Sequence, residues 1–350
     1  VTVGPGSPTG TIQVIPVPGL PEITEGSDLA EELAGRLPAC GGLREGDVLV
    51  VSSKLVSKAL GLRRVAPADR TEVVRGESVR VVAERVTPAG LTQVVESLAG
   101  PVLAAAGVDA SNTGPLGGLL LLPHDPDEAA RDLHARLRER TGTSVPFGLL
   151  LSDTAGRPWR DGQTDLALGA CGVRVVDDLR GGADSDGREL SVTSRAVADE
   201  IAAAADLAKG KASGTGAALV RGLPHLVTDA TGPGARTLVR TGPGDWFSLG
   251  HREAVRAALG APPGTPAAEA VGLPSVLPEA AGLRLDRACR LALLGHDPGG
   301  VRITGSPSEG LLVTADDPAL AGRVAARLEV ALASEDLHAD VEVLSPPAGG

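Results

Sequence analysis

The sequence predicts a chain of mixed helices and strands that ends in a small C-terminal α/β appendage, and three observations carry that expectation. Short β-branched or wholly apolar runs at 11–17 (TIQVIPV) and 48–51 (VLVV) have the length and the turn-forming borders of strands. Between such runs lie longer segments whose apolar residues recur at helical spacing, clearest over 194–209. Composition then shifts at Gly242-Pro243-Gly244-Asp245, and helix and strand patterns resume beyond it for about a hundred residues, the size of a small domain. The expected division is a flexible leader over 1–10, a main domain over 11–245 and the appendage over 246–350.

In order along the chain, the alternating run 11–17 reads as a strand that stops at Pro18-Gly19. Gly46-Asp47 then introduces 48–51, four consecutive apolar residues that suit a buried strand, followed by the polar Ser52-Ser53-Lys54. Strands at 119–122 and 148–151 flank a surface helix at 127–140, with Asp125 as its cap and Ala130, Leu133 and Leu137 as its apolar stripe. Over 194–209, Val197, Ile201, Ala204, Ala205 and Ala208 form a second stripe, Ser194 caps the start and Gly210 closes the end. Asp199, Glu200 and Asp206 fall off that stripe and read as a solvated polar face. A buried strand follows at 217–220. Past Trp246 come a helix at 251–259, a Pro/Gly/Ala-rich stretch at 260–277, and then a helix, two strands, a helix and a strand ending near Val343.

Composition narrows the function classes. The 350 residues are 42% hydrophobic and 22% charged with a net charge of −11, which suits a packed core and not a disordered chain. Aromatic residues make up only 1%, so the core must be built from Val, Leu, Ile and Ala. The stacking platforms on which single-stranded nucleic acid binders depend are then missing, and no nucleic acid partner is expected. No apolar run approaches the ~18 residues of a membrane span, and the opening residues lack the regions of a secretion signal, so no membrane is expected and the location is cytoplasmic. Cys40, Cys171 and Cys289 are odd in number and widely spaced, which points to small buried hydrophobes and away from disulfides or a zinc site.

Familiar nucleotide and hydrolase signatures fail. Gly210-Lys211 resembles the end of a P-loop, but Ala205 holds the first glycine position and Ala212 the hydroxyl position. The six histidines show no metal-binding spacing. Two carboxylate-bearing segments remain: Asp109 lies three residues before Asn112, and Asp153-Thr154 leaves a buried strand ahead of Arg157 and Arg160. Carboxylate and hydroxyl oxygens are the ligands that hard cations accept, and arginine forks match phosphate or carboxylate oxygens; equally, an Asp after a strand is often a turn or cap residue. Lys54 and Lys58 share one face of a helical turn, with Arg63 and Arg64 beyond, either as a phosphate clamp or as an exposed basic edge.

Seven ordered blocks together resemble one family. They are Leu20-Pro21-Glu22-Ile23, GDVLVVSSKLVSKALG at 46–61, AGVDASN at 106–112, LLPHDPD at 121–127, SDTAGRPWRDGQ at 152–163, DGRELSVTSRAVADEIAAAADL at 186–207, and KGKASG followed by LVRG. The resemblance is to the coenzyme F420-0:L-glutamate ligase, or F420 gamma-glutamyl ligase, family. It implies an α+β fold with mixed and antiparallel sheets, a homodimer, and a GTP-dependent amide ligase. Such an enzyme joins L-glutamate to F420-0, and then further γ-linked glutamate, through an acyl phosphate. It also implies two divalent cations, magnesium or manganese, with potassium as activator.

Carried over by residue, the resemblance assigns Leu20, Pro21, Glu22 and Ile23 to the guanine nucleotide, with Ser53, Lys58 and Asn112. It assigns metal to Asp109, Asp153 and Thr154, and lays the loop Lys209, Gly210, Lys211, Ala212, Ser213, Gly214 and Thr215 over the nucleotide. Arg157 and Arg160 stand in the matching block and, with Asp109 and Asp153, are the expected catalytic residues, their guanidinium groups facing phosphate or substrate carboxylates. Lys211 stands where relatives often carry an acidic or amide residue, Leu60 replaces a common Glu, and Ala105 a common Asn. These departures leave two alternatives: a GTP- or F420-binding protein whose catalysis has decayed, and a paralogue with a different phospholactate-like acceptor. Some relatives carry a flavin-dependent C-terminal domain; 245–350 is too short for one and lacks an FMN-phosphate signature, so no flavin is expected.

Overall fold

The computed structural model describes residues 11–65, 69–210 and 214–344; the expected leader at 1–10 and the loop positions Lys211, Ala212 and Ser213 lie outside the described residues. The chain divides into two compact units, Val1–Ser78 with Ser97–Arg240, and Val79–Glu96 with Thr241–Gly350. Several sheets interleave with helices, in keeping with an α+β class. Among the described residues no helix is long and apolar enough to cross a membrane.

The first unit is organised on a five-stranded sheet in the order Gln13–Pro16, Ala217–Arg221, Asp47–Ser52, Phe147–Arg157, Arg160–Cys171. Neighbours run antiparallel except the central pair, where Val51 sits opposite Leu151 in parallel register. The apolar run Val48 to Val51 has no solvent exposure because both faces of the sheet are covered, which is why it is continuous and not alternating. Leu49, Val51, Leu149, Leu151 and Leu219 pack under helices Leu29–Ala34, Ser53–Ala59 and Pro126–Thr141. Val48, Val50, Leu150 and Val220 pack on the opposite side against Val197, Ala198, Ile201 and Ala205 of the helix Val197–Lys209.

Several local expectations are corrected. Asp125 does cap its helix, accepting from the Glu128 amide at 2.9 Å, but Ser194 does not; it lies in a two-residue strand, and Ala196 is the N-cap residue of Val197–Lys209. Gly210 closes that helix at φ +62. Its acidic residues are not a uniformly solvated face, since Asp199 is half-buried and accepts from the Ala167 amide at 2.9 Å. The strand expected over 148–151 extends from Phe147 to Arg157 and turns back at Pro158-Trp159 into Arg160–Cys171. Asp153 and Thr154 are therefore inside a strand, not on a loop after it. Cys40 and Cys171 are buried and Cys289 only partly so.

The second unit takes in residues 79–96, where the sequence reading placed nothing, within the strands Ser78–Thr87 and Gly90–Ser97. Further on, helices Ala281–Leu293 and Pro318–Ser334 share a core with strands Val301–Ser306, Gly310–Ala315 and Val341–Leu344. The Pro/Gly/Ala-rich stretch is not featureless, for Pro266–Val271 is helical and Thr265 caps it through the Ala268 amide. Within this unit Glu335, 1% exposed, is held by Arg287 at 2.6 Å, and Arg287 also pairs with Glu279.

Candidate active site

A cavity of about 580 Å³ opens in the first unit, where the C-terminal part of the Asp47–Ser52 strand meets its neighbours. It is lined by Leu20, Pro21, Glu22 and Ile23 on one wall, by Asp153 and Thr154 on another, and by Lys58, Asn112, Lys209, Gly210, Gly214 and Thr215 around them. Twelve of the residues that the sequence reading assigned to nucleotide or metal thus meet in one place. None of the four aromatic rings lines it, and its apolar wall is aliphatic, from Leu20, Pro21, Ile23 and Leu55.

Local structure explains how each side chain arrives. The helix Ser53–Ala59 starts directly from the Asp47–Ser52 strand, so Lys54 and Lys58, four residues apart, project from one face. Neither is an exposed basic edge: Lys58 Nζ is 2.6 Å from Glu22 Oε1, and Lys54 Nζ is 2.6 Å from Asp109 Oδ2 and 2.9 Å from Ser111 Oγ. Asp109 is fixed by a two-way backbone bridge to Leu120, and Asn112 takes a left-handed φ of 51° that Asn tolerates better than most residues. Arg63 fastens the loop beyond through the Thr113 and Gly117 carbonyls. Gly114, at φ +75, leaves room there for the Glu22 carboxylate, which an added Cβ would strike.

Three carboxylates give the site its electrostatics. Burial, chiefly, pushes Asp153 up to about 6; the charges of Asp165 and Asp109 add to the rise and Lys54 opposes it. Burial also works to raise Asp109, but the Lys54 ammonium and the Ser111 amide and hydroxyl outweigh it and hold that carboxyl below the usual carboxylate range. At Asp165 burial is again outweighed, by Lys209 first and then by the Thr154 and Ser152 hydroxyls, so this carboxyl too is held low. Asp153 is the member whose charge is least compensated. Its Oδ1 accepts from Ser53 Oγ at 3.3 Å, which is the role of Ser53, itself behind the cavity wall.

Not every expected residue joins the cavity: Asp109 is not among its lining residues, though it pairs with Lys54, which is. Arg157 and Arg160 are exposed where the long hairpin turns, with Arg157 donating to the Asp161 carbonyl, and neither is among the lining residues. Conversely, Ser52, Lys54, Leu55, Gly114, Asp165, Asp206 and Gly216 line the cavity without having been assigned to it. Asp206, expected on a solvated face, is one of them. Asp165 faces Thr154 across the hairpin, a pairing that the turn at Pro158-Trp159 would have supplied had the two strands been read as continuous through it.

Among the described residues no group of three or more His, Cys, Asp and Glu side chains is already gathered as a cation cage. The donor set nevertheless suits a hard divalent cation: Asp109, Asp153 and Thr154 offer only oxygen from their side chains, and Lys54 offsets the burial of Asp153 only in part.

Comparison with known proteins closes the question of family. The F420-0:gamma-glutamyl ligase family matches residues 19–222. A coenzyme F420:L-glutamate ligase of Methanopyrus kandleri is 40% identical over 253 residues, covering 68% of this chain and 98% of the relative. The protein of the same name from Archaeoglobus fulgidus is 42% identical over 226 residues, covering 61% of this chain and 88% of its own, and one from Halorubrum lacusprofundi is 38% identical over 222 residues, with 58% and 84% covered. With more than half its length matched, and cavity residues from Leu20 to Thr215 inside the matched span, this chain belongs to the F420-0:gamma-glutamyl ligase family and is a ligase.

Proposed function

We propose that the enzyme joins L-glutamate to coenzyme F420-0 with GTP as phosphoryl donor, and adds further glutamate through γ-linkages. A carboxylate is a poor electrophile, so the acceptor carboxylate first takes the γ-phosphoryl group to form an acyl phosphate and GDP. The glutamate amine then attacks that carbon, losing a proton, and phosphate leaves. No protein nucleophile is required, which agrees with a cavity holding carboxylates, lysines and amides and no Cys or His.

In this reading Leu20, Pro21, Ile23 and Leu55 form the aliphatic wall for the guanine, with Glu22 beside it; Lys58 and Asn112 contact the nucleotide, and Lys209, Gly210, Gly214 and Thr215, which line the same cavity, lie against it. Asp109, Asp153 and Thr154 would hold two magnesium or manganese ions, and potassium would serve as activator. When bound, those ions neutralise and align the phosphates. Arg157 and Arg160 stand outside the cavity lining, so in this reading they meet phosphate or substrate carboxylates only where a ligand extends past the hairpin turn, and the enzyme acts as a cytoplasmic homodimer without flavin. Because the net charge of −11 opposes anionic ligands, these local cations must make the site attractive to them.

The observation that carries the reading is the convergence of the nucleotide-type residues with Asp153 and Thr154 on one cavity, and the attachment of Asp109 to it through Lys54. Of the three departures behind the decayed-binder alternative, Leu60 and Ala105 do not line the cavity, while Lys211 lies outside the described residues, so an assay of turnover decides between the two. Release of GDP and phosphate, followed with purified protein and magnesium, should require F420-0 and L-glutamate together. Nucleotide binding without turnover would support the decayed form, and turnover only with another acceptor would support the paralogue.

A further inference from the structure

We propose that Asp165 is a positioning residue for Thr154: it accepts a hydrogen bond from the Thr154 hydroxyl, so that the lone pairs of Thr154 Oγ1 are presented to a divalent cation. The proposal deepens the metal reading above and rests on it. A hydroxyl has one hydrogen and two lone pairs, and it can ligate a cation only when its hydrogen points elsewhere. Thr154 Oγ1 donates to Asp165 Oδ1 at 2.6 Å, which commits that hydrogen to Asp165 and leaves the Oγ1 lone pairs to accept from another partner.

The arrangement behind Asp165 keeps it in this role and out of direct ligation. Its Oδ2 accepts from Ser152 Oγ at 2.8 Å and from Lys209 Nζ at 2.5 Å, and Lys209 also donates to Ser152 Oγ at 2.7 Å. Both carboxylate oxygens are thus engaged by protein donors, and the charge is balanced by a lysine that is 4% exposed. Thr154 and Asp165 are directly opposite in the hairpin register, so the pair is held by backbone as well as by side chains. Outer partners of this kind govern ligand orientation, and losing one costs about 10–100-fold in metal affinity.

The test is Mn²⁺ titration of the full chain, with free Mn²⁺ read by electron paramagnetic resonance. Because Asp165→Ala alone would strand the Lys209 charge and could unfold the protein, two neutral pairs are compared. Asp165→Asn with Lys209→Met removes the ion pair but keeps an oxygen that can accept from Thr154; Asp165→Leu with Lys209→Met removes the acceptor as well. The Asn pair should stay within about threefold of wild type, while the Leu pair should lose about 10–100-fold. Adding Thr154→Val to the Leu pair should cost little more, because both changes remove the same ligand. Equal Mn²⁺ affinity in the two pairs would overturn the proposal and leave the metal reading standing. A wild-type protein that binds no Mn²⁺ would overturn both.

Discussion

Lys54 Nζ lies 2.6 Å from Asp109 Oδ2, so an ammonium group stands on a carboxylate that the proposed function gives to a cation. Side-chain and metal charge then compete for one oxygen. Replacing Lys54 by Met should tighten Mn²⁺ binding in the absence of nucleotide, since the competitor is gone. Unchanged Mn²⁺ affinity would mean that Asp109 is not where the ion binds.

The raised Asp153 gives a pH dependence with a definite sign. Burial, with Asp165 and Asp109 adding to it, sets this carboxyl at about 6, above the ~3.9 of an unfolded chain. Between those values the folded protein holds more protons than the unfolded one, so the Asp153 contribution to stability falls as pH rises and its penalty is complete above 6. A cation binds only the ionised form, so Mg²⁺ should raise the melting temperature more at pH 7 than at pH 5. The melting temperature of Asp153→Asn should lose this difference, and its retention would contradict the assignment.

Arg221 and Asp47, at adjoining ends of two interior strands, form a two-point ion pair, with Nε to Oδ1 and Nη2 to Oδ2 both at 2.9 Å and Asp47 fully buried. Removing one partner leaves a charge with no water to solvate it. Arg221→Met should therefore destabilise the protein by about 3–5 kcal/mol in urea unfolding. Adding Asp47→Asn should recover much of that loss, because the stranded charge is gone.

Ala105 and Ala106 both adopt left-handed backbone, at φ 53° and 56°, a conformation that costs a non-glycine residue about 1–2 kcal/mol. Asn tolerates this conformation better than Ala. Ala105→Gly should relieve part of this strain and raise stability in chemical denaturation, the gain limited by the extra freedom of glycine in the unfolded chain. A clear loss of stability would show that the methyl of Ala105 matters more for packing than for strain.

What was legible in the sequence followed from local pattern. The Val48 to Val51 run, the cap at Asp125 and the stripe from Val197 to Ala205 are each specified by neighbours in the chain, and the structure has them. The motif blocks likewise carried Leu20, Lys58, Asn112, Asp153 and Lys209 to a common cavity. Asp165 was missed because its meaning lies in a cross-strand partner, Thr154, eleven residues away through a turn. The strand Ser78–Thr87 was missed because Arg80, Glu84 and Arg85 break its apolar pattern; their partners, Glu96, Gln93 and Glu253, are supplied by other segments of the second unit. Lys54 could not be told from an exposed basic residue until Asp109, distant in sequence, was beside it.

The central claim, that this cavity forms an amide between F420-0 and glutamate, is tested most directly by the mass of the product. Incubation of the purified enzyme with F420-0, L-glutamate, GTP and magnesium should yield a species one glutamyl residue heavier, with one GDP formed for each residue added. The Asp153→Ala protein should yield none. Wild-type enzyme, folded and bound to GTP, that leaves the mass of F420-0 unchanged would contradict the account.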